Sequence, residues 1–285
     1  MLDGHVLVDA HLHAAALPTL KLAWRQWASD FGDAAELELV YRPDGYVDPA
    51  GFSAMLDAQG VDQAFLLCEY SPKATGIQPI EDLLPLAAHD PDRVRIIANL
   101  NPHLHFPVAD EVTRQFDLGA VALKLHPVHG GFPTNDRALY PAYDRCRAAG
   151  RPVVVHCGTS SFPGSMNAYA DPTLLLDVLR DFPGLDVVLA HGGRGWWYDA
   201  AGFLALSNPN VWIELSGLPP ARLPQYYAKS NFARLCRRFV FGTDWPGVPS
   251  IAGNARTVAA LCPDEETAGL VLGGNARRIY LREDG

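Results

Sequence analysis

The sequence predicts an α/β protein built as a single (β/α)8 TIM barrel with a helical, aromatic-rich insertion after its first strand. Eight short apolar runs alternate with segments of helical pattern, and many of the runs end in a polar residue. Short helical crossovers require parallel strands, and near-continuous apolar strands fit a sheet buried on both faces. A count of eight favours a closed barrel over an open doubly wound sheet, because the polar strand ends then meet on one face.

The elements follow in chain order. The predicted strands are Val6–His13, Asp62–Cys68, Val94–Asn101, Ala120–His126, Pro152–Cys157, Asp186–His191, Val211–Ser216 and Phe239–Asp244. Asp48 and Asp171 each precede a proline and can cap a predicted helix, the first of which ends at Gly60. A third helix is predicted over residues 139–149, before Gly150.

No change in composition marks a second domain, so residues 1–285 are expected to form one barrel domain. Residues 14–47 are a long excursion between the first strand and its helix, and they are rich in Trp, Phe and Tyr. A loop of this length after a barrel strand is usually a lid or a specificity element. A helix packed against the barrel rim explains the same composition.

Composition excludes several classes of partner. The formal charge of −9 and the lack of any Lys/Arg run argue against nucleic acid or an anionic membrane surface. Neither a signal peptide nor a membrane span is predicted. Five scattered cysteines without a CxxC pair fit free thiols, so a cytoplasmic protein is expected. Neither GxGxxG nor GxxxxGK[ST] occurs, so nucleotide binding has no support.

The strongest chemical signal lies at the end of the first predicted strand. His11 and His13 are two positions apart, so both imidazoles project to the same side. His156, His191 and Asp244 end three later strands, and a barrel brings these ends together. Neutral imidazoles with a carboxylate suit Zn²⁺ or a similar transition metal. Such a metal with one open position lowers the pKa of bound water towards about 7 and supplies hydroxide.

Seven motifs in this order resemble the amidohydrolase superfamily, in its amidohydrolase-related branch of metal-dependent barrels. They are Val8-Asp9-Ala10-His11-Leu12-His13, Lys124-Leu125-His126-Pro127, Val154-Val155-His156-Cys157-Gly158, Leu189-Ala190-His191-Gly192-Gly193, Glu214-Leu215-Ser216-Gly217, Phe241-Gly242-Thr243-Asp244-Trp245-Pro246 and Gly274-Asn275-Ala276-Arg277-Arg278-Ile279-Tyr280. The resemblance covers nearly the whole chain. It implies one divalent metal, most simply Zn²⁺ with Mn²⁺ as the alternative. The implied ligands are His11, His13, His156 and Asp244, with His191 as a catalytic residue beside the metal.

The catalytic roles have a physical basis. Asp244 is expected to hydrogen-bond the attacking water, accept its proton and pass it to the leaving group. His191 is expected to polarise a substrate carbonyl or stabilise the oxyanion that forms. The prediction is therefore a hydrolase of a small amide, ester or lactone that acts at the carboxyl-terminal face of the barrel.

Lys124, on the fourth predicted strand, has three open interpretations. Alternation places it on the lumen side together with His126. In dinuclear members of the superfamily a strand-four lysine is carboxylated and bridges two metals, with His191 then on the second metal. The single-metal branch instead favours contact between Lys124 and a substrate carboxylate or oxyanion, which we prefer. A structural role would need a partner, because a lysine inside an apolar strand is costly.

Other polar residues are weaker candidates. Arg194 could clamp a substrate carboxylate bidentately, or it could belong to a surface ion pair. His126 and His129 could line the pocket beyond the fourth strand. Glu69 and Tyr70 end the second predicted strand and Glu214 lies within the seventh, and any of the three could touch substrate.

Three alternative functions stay open. A non-oxidative decarboxylase of an aromatic or unsaturated carboxylic acid would use the same metal site, with His191 protonating the carbon that loses CO₂. The intact ligand set argues against a metal-free lactonase and against a non-catalytic scaffold. The expected partner is a small-molecule substrate that could carry a carboxylate, and the resemblance implies that the chain could form a homodimer.

Overall fold

The computed structural model describes residues 1–283. Its strands are β1 Val8–Leu12, β2 Gln63–Leu67, β3 Glu69–Ser71, β4 Gly76–Gln78, β5 Val94–Leu100, β6 Ala122–Leu125, β7 Val153–Gly158, β8 Val187–Arg194, β9 Val211–Glu214 and β10 Phe239–Val240. Its α-helices are α1 Leu22–Phe31, α2 Ala34–Val40, α3 Pro49–Ala58, α4 Ile80–His89, α5 Val108–Asp117, α6 Pro127–Gly130, α7 Tyr140–Ala148, α8 Leu175–Asp181, α9 Tyr198–Ser207, α10 Leu223–Tyr226, α11 Phe232–Cys236, α12 Ile251–Leu261 and α13 Glu265–Gly269.

Eight parallel strands form the predicted barrel. They are ordered β1-β2-β5-β6-β7-β8-β9-β10, and every neighbouring pair in that order is parallel. The segment after β10 returns to β1: Ala10 N donates to Phe241 O at 3.1 Å, and His13 N donates to Trp245 O at 2.8 Å. These bonds nearly close the sheet on itself, and the (β/α)8 prediction is confirmed.

Alternation along the strands builds two apolar layers. Val154, Val188 and Trp212 belong to one cluster inside the barrel, which Tyr280 near the chain's end also joins. Their strand neighbours belong instead to the larger cluster between the barrel and its helices. Because successive side chains on a strand point to opposite faces, Lys124 and His156, each two positions beyond an interior residue, also face the lumen.

The predicted helix starts are present. The Asp48 side chain accepts a hydrogen bond from Gly51 N at 3.1 Å at the start of α3. Asp171 accepts one from Thr173 N at 2.9 Å, although the first turn there is a 3₁₀ turn that precedes α8. Both caps satisfy amide groups that have no partner inside the helix.

A small antiparallel hairpin, β3 paired with β4, was not predicted. The sequence prediction placed Glu69 and Tyr70 at the end of the second barrel strand, whereas they belong to β3 and pair with Gln78 and Ile77. The reason is a change of partner: beyond Cys68, whose N donates to Ile97 O, the main chain pairs with β4 instead of β5.

The insertion over residues 14–47 contains α1 and α2 and is helical, as predicted. Trp24 is buried and Trp27 is half-buried, and their rings lie 5.6 Å apart. Within residues 1–283, none of the helices combines the length and the apolar character needed to cross a bilayer.

Candidate metal centre and active site

His11, His13 and Asp244, which we call the first cluster, bring three ligand atoms together. His11 Nε2 lies 3.3 Å from His13 Nε2. Asp244 Oδ1 lies 3.4 Å from His11 Nε2 and 3.2 Å from His13 Nε2. Tetrahedral ligands at about 2.0–2.1 Å from one cation are about 3.3–3.4 Å apart. The donor set and its spacing therefore fit a single transition-metal ion.

The backbone positions this cluster through Asp9. Its Oδ1 accepts hydrogen bonds from His11 N at 3.1 Å and from Thr243 N at 3.0 Å, which ties β1 to the segment that carries Asp244. Burial raises the pKa of Asp9 to about 7, although the bonds from Thr243 and His11 oppose that shift. Asp244 itself has a φ of 72°. Such a left-handed conformation costs energy in a non-glycine residue and is common at active sites.

Glu214 fixes the orientation of the His11 ring. His11 Nδ1 lies 2.5 Å from Glu214 Oε2, and Ser216 N donates to Glu214 Oε1 at 2.7 Å. With Nδ1 engaged, the Nε2 atom of His11 is left facing the other two ligands. A carboxylate behind a ligating imidazole also raises its basicity, which strengthens metal binding. Burial raises the pKa of Glu214 to about 7, against the opposing charge of Lys124.

His191 lies against the first cluster. Its Nδ1 is 3.0 Å from Ser216 O and 3.9 Å from Asp244 Oδ2, and its ring centroid is 5.1 Å from that of His11. Donation from Nδ1 to the Ser216 carbonyl leaves Nε2 as the second, free ring nitrogen. Burial holds the pKa of His191 well below its ordinary value, so the imidazole is neutral at pH 7. Its φ of 64° is again left-handed.

The two carboxylate oxygens of Asp244 face different neighbours. Oδ1 faces His11 and His13, whereas Oδ2 faces His191. Burial alone would raise the pKa of this carboxyl. The hydrogen bond from His13 and the charges of His11, His13 and Arg194 outweigh burial and hold the pKa well below its usual range.

A second cluster consists of Glu69, His126, His129 and His156. One ligand atom from each histidine lies within 4.8 Å of one from each of the others. His126 Nε2 lies 3.2 Å from Glu69 Oε2. Burial lowers the pKa of all three histidines, that of His129 to about 3. All four side chains are buried and line the same cavity.

His156, predicted as a ligand together with the first cluster, is grouped with His126 and His129. Its Nε2 is 3.0 Å from Gly158 O, and its Nδ1 has no hydrogen-bond partner in the described chain. Its ring centroid is 4.8 Å from that of His129 and 4.4 Å from that of His191. His156 thus lies between the two clusters, and its role as a first-cluster ligand stays a prediction.

Lys124 lies beneath the cavity and does not line it. It is fully buried, and within residues 1–283 no hydrogen-bond partner is in reach of its Nζ. Burial lowers its pKa to about 8, although the charges of Glu214, Asp244 and Glu69 oppose this. The charge of Lys124 therefore acts on His11 in the first cluster and on His126 in the second, and its contact with substrate stays a prediction.

Arg194 lines the cavity but is held by main-chain oxygens. Its Nε and Nη2 donate to Thr159 O at 3.2 and 3.0 Å, and its Nη1 lies 3.4 Å from Gly217 O. No side-chain carboxylate of residues 1–283 forms an ion pair with it, so the surface ion pair considered from sequence is absent.

The cavity has a volume of about 610 Å³ and an aromatic wall. A row of rings runs from Trp24 through Trp27 and Phe162 to His129. The centroids of successive rings in this row are 5.6, 5.9 and 5.7 Å apart. On the other side the Trp24 ring lies 6.5 Å from that of His13. The insertion thus packs on the rim and contributes to the pocket wall, and its role as a lid or specificity element stays a prediction.

Sequence reasoning missed three supporting residues. Asp9 ties the ends of the barrel together, Ser216 contacts both His11 and His191, and Asn99 donates to His126. Ser216 could have been found because it follows Glu214 by two positions at a strand end. Asn99 gave no signal, since its pairing opposite Lys124 depends on strand register.

Histidines and a carboxylate converge at the strand ends of this barrel, where the loops of (β/α)8 enzymes build their active sites, and they form two groups that could hold a metal ion. The family model described as amidohydrolase matches residues 8–282. The chain belongs to this amidohydrolase family, as the motifs predicted. No curated protein sequence matches the chain.

Solved structures with the same fold are similar at low identity. An uncharacterised TIM-barrel protein from Bordetella bronchiseptica is 22% identical with a TM-score of 0.77, covering 97% of this chain and 98% of that one. A probable 2-pyrone-4,6-dicarboxylic acid hydrolase from Acinetobacter baumannii is 18% identical, with a TM-score of 0.64 and coverages of 96% and 98%. A 5-carboxyvanillate decarboxylase from Novosphingobium aromaticivorans, complexed with manganese, is 16% identical, with a TM-score of 0.65 and coverages of 98% and 96%.

Proposed function

We propose that the protein is a metal-dependent hydrolase of a small amide, ester or lactone. The observation that carries the proposal is the triangle of His11 Nε2, His13 Nε2 and Asp244 Oδ1, with separations of 3.2–3.4 Å. A Zn²⁺ or Mn²⁺ ion bound there would act as a Lewis acid and lower the pKa of water at neutral pH. His156 is the proposed fourth ligand and would reach the ion by turning its ring.

The protein's own groups would move the proton. Asp244 Oδ2 is free of the triangle and faces His191, so it is placed to accept a proton from water and deliver it to the leaving group. Neutral His191, held through Nδ1 by Ser216 O, would present Nε2 to the reacting carbonyl. Glu214 would keep His11 oriented throughout.

A second candidate is non-oxidative decarboxylation of an aromatic or unsaturated carboxylic acid. Two observations favour it: the aromatic wall formed by Trp24, Trp27 and Phe162 suits a flat substrate, and buried Lys124 supplies positive charge beneath the cavity. Decarboxylases and a hydrolase both occur among the structural neighbours. Here His191 would deliver a proton to the carbon that loses CO₂.

The test is a substrate panel assayed on protein loaded with Zn²⁺ or Mn²⁺. Lactones, esters, amides and aromatic carboxylic acids are supplied side by side, with acid release and CO₂ release measured separately. We expect acid release without CO₂, abolished in His11→Ala/His13→Ala. Release of CO₂ would support decarboxylation in place of hydrolysis. Turnover that survives removal of both histidines would overturn the metal-dependent proposal.

A further inference from the structure

We propose that Glu69, His126 and His129 bind a second divalent cation beside the first cluster. This inference rests on the proposed metal-dependent function and adds a site that uses none of the first cluster's residues. The side chains come from three places around the cavity: β3, the end of β6 and the short helix α6. All three are between 3% and 5% exposed.

The first support is a pair of unsatisfied atoms that face each other. Glu69 Oε1 and His129 Nδ1 are both buried, and neither forms a hydrogen bond of good geometry within residues 1–283, although the nearby hydroxyls of Ser71 and Thr75 lower the pKa of the Glu69 carboxyl. Glu69 Oε1 and His129 Nδ1 lie 4.0 Å apart. Leaving such atoms without a partner is costly. A tetrahedral cation with ligand distances of about 2.0–2.1 Å holds its ligand atoms about 3.3–3.4 Å apart, so one ion would satisfy both atoms once a rotation of the His129 ring closed the gap by about 0.6 Å.

The second support is the fixed orientation of His126. Asn99 Nδ2 lies 3.1 Å from Lys124 O and 2.9 Å from His126 Nδ1, so His126 directs its Nε2 towards Glu69. To bind a cation, Nε2 must give up its proton and Nδ1 must carry one. Asn99 can accept that proton in a hydrogen bond only if its amide turns over, which exchanges its bond to Lys124 O for one from His126 Nδ1.

The other contacts of His129 leave its free nitrogen available. His129 Nε2 lies 2.9 Å from Ser160 Oγ, which can donate its hydroxyl proton to that nitrogen. Its Nδ1 remains directed at Glu69. Burial keeps His126 and His129 neutral at pH 7, the protonation state in which imidazole carries the lone pair that a metal requires.

Charge sets the order in which the two sites fill. Two carboxylates contribute negative charge at the first cluster: Asp244 within it, and Glu214 beside His11. The second cluster has the carboxylate of Glu69. Positive charge on the buried Lys124 also opposes a second cation. We therefore infer that the first cluster fills first and that the second site binds more weakly. This site does not need a carboxylated Lys124 as a bridging ligand, and it therefore differs from the dinuclear arrangement in which such a lysine joins two metals.

The experiment is a Mn²⁺ titration of the metal-depleted full chain, read as bound equivalents and by electron paramagnetic resonance. We expect two equivalents, the second weaker, with spectral broadening from two neighbouring ions when both are bound. Glu69→Gln/His129→Phe should retain one equivalent and lose the broadening. His103→Ala, an exposed histidine outside both clusters, is the matched control and should retain two.

The outcomes are distinguishable. One equivalent at saturating Mn²⁺ would overturn the second site and leave the proposed function standing, whereas no bound Mn²⁺ would overturn both. Two equivalents that persist in Glu69→Gln/His129→Phe but fall to one in Lys124→Met would replace this site with a lysine bridge. If the double variant does not fold by circular dichroism, Glu69→Gln alone, which preserves size and polarity, decides the same question.

Discussion

The two histidine clusters lie side by side in one cavity but differ in how firmly their ligand atoms are placed. In the first cluster the three ligand atoms are 3.2–3.4 Å apart, and the far side of His11 is held by Glu214. In the second, one ligand atom of His129 lies 4.0 Å from Glu69 Oε1, and within residues 1–283 buried atoms of Glu69, His129 and His156 lack hydrogen-bond partners.

The difference follows from the elements that carry the residues. The first cluster is built on β1 and on the segment after β10, which main-chain bonds and Asp9 tie together. The second is assembled from the hairpin strand β3, the short helix α6 and β7. Sites on strands tied by hydrogen bonds are more precisely placed than sites on short connections. Preorganisation therefore distinguishes the proposed metal centre of the first cluster from the proposed second site, whose residues must adjust.

The largest expected effect comes from breaking the first cluster with Asp244→Asn. The amide keeps the shape but cannot accept the proton from water, so turnover of the best panel substrate should fall by about 10²–10⁴-fold. Steady-state kinetics on metal-loaded protein measures the loss. Asp199→Asn, an exposed ion-pair residue, is the control and should match wild type. Unchanged turnover in Asp244→Asn would show that Asp244 has no catalytic role.

A smaller loss is expected when only the support of the first cluster is removed. Glu214→Gln keeps the size of the side chain but removes the carboxylate behind His11. Affinity for the tightly bound ion should drop by roughly 10–100-fold, while the weaker equivalent is unaffected. Competition with a chelator of known affinity measures this, with exposed Glu38→Gln as the control. Equal losses from both sites would mean that the clusters are not independent.

Acid should destabilise the metal-free protein through the second cluster. The pKa of His129 falls from 6.5 unfolded to about 3 folded. The unfolded chain therefore binds more protons below pH 6.5, so stability is full above that pH and declines as the pH falls towards 3. Between pH 7 and pH 5 the contribution of His129 is about 2 kcal/mol. Urea unfolding should show this loss in wild type and a correspondingly smaller loss in His129→Phe; equal losses would contradict burial as the cause.

The smallest effect is expected at the edge of the second cluster. Ser160→Ala removes the hydroxyl that lies 2.9 Å from His129 Nε2. Ser160 Oγ also accepts hydrogen bonds from Phe162 N at 3.3 Å and from Ser165 Oγ at 3.1 Å. Loss of these bonds should lower the free energy of unfolding by about 1–2 kcal/mol, with the first equivalent of Mn²⁺ bound as in wild type. The neighbouring exposed Ser161→Ala is the matched control. Weakened binding of the first equivalent in Ser160→Ala would show that the clusters share structural support.

Much of the fold and part of the site could be predicted from the sequence. Apolar runs and turn residues are local signals, so the eight barrel strands and the caps at Asp48 and Asp171 were recognisable. The spacing of His11 and His13 on one strand likewise predicted their common direction. The β3–β4 hairpin was not predictable, because its pairing depends on a short strand whose partner is chosen by the surrounding chain.

The sequence by itself determined that the barrel gathers these polar residues at one face, and it predicted which of them could bind a metal, since strand alternation and parallel pairing are properties of the local pattern. Only the tertiary structure decided how these residues divide into two clusters. His156 packs near both His129 and His191, Lys124 lies below the cavity, and Glu69 joins two histidines that follow β6. Such groupings depend on side-chain rotamers and on register between strands distant in sequence, and neither is encoded in a local pattern.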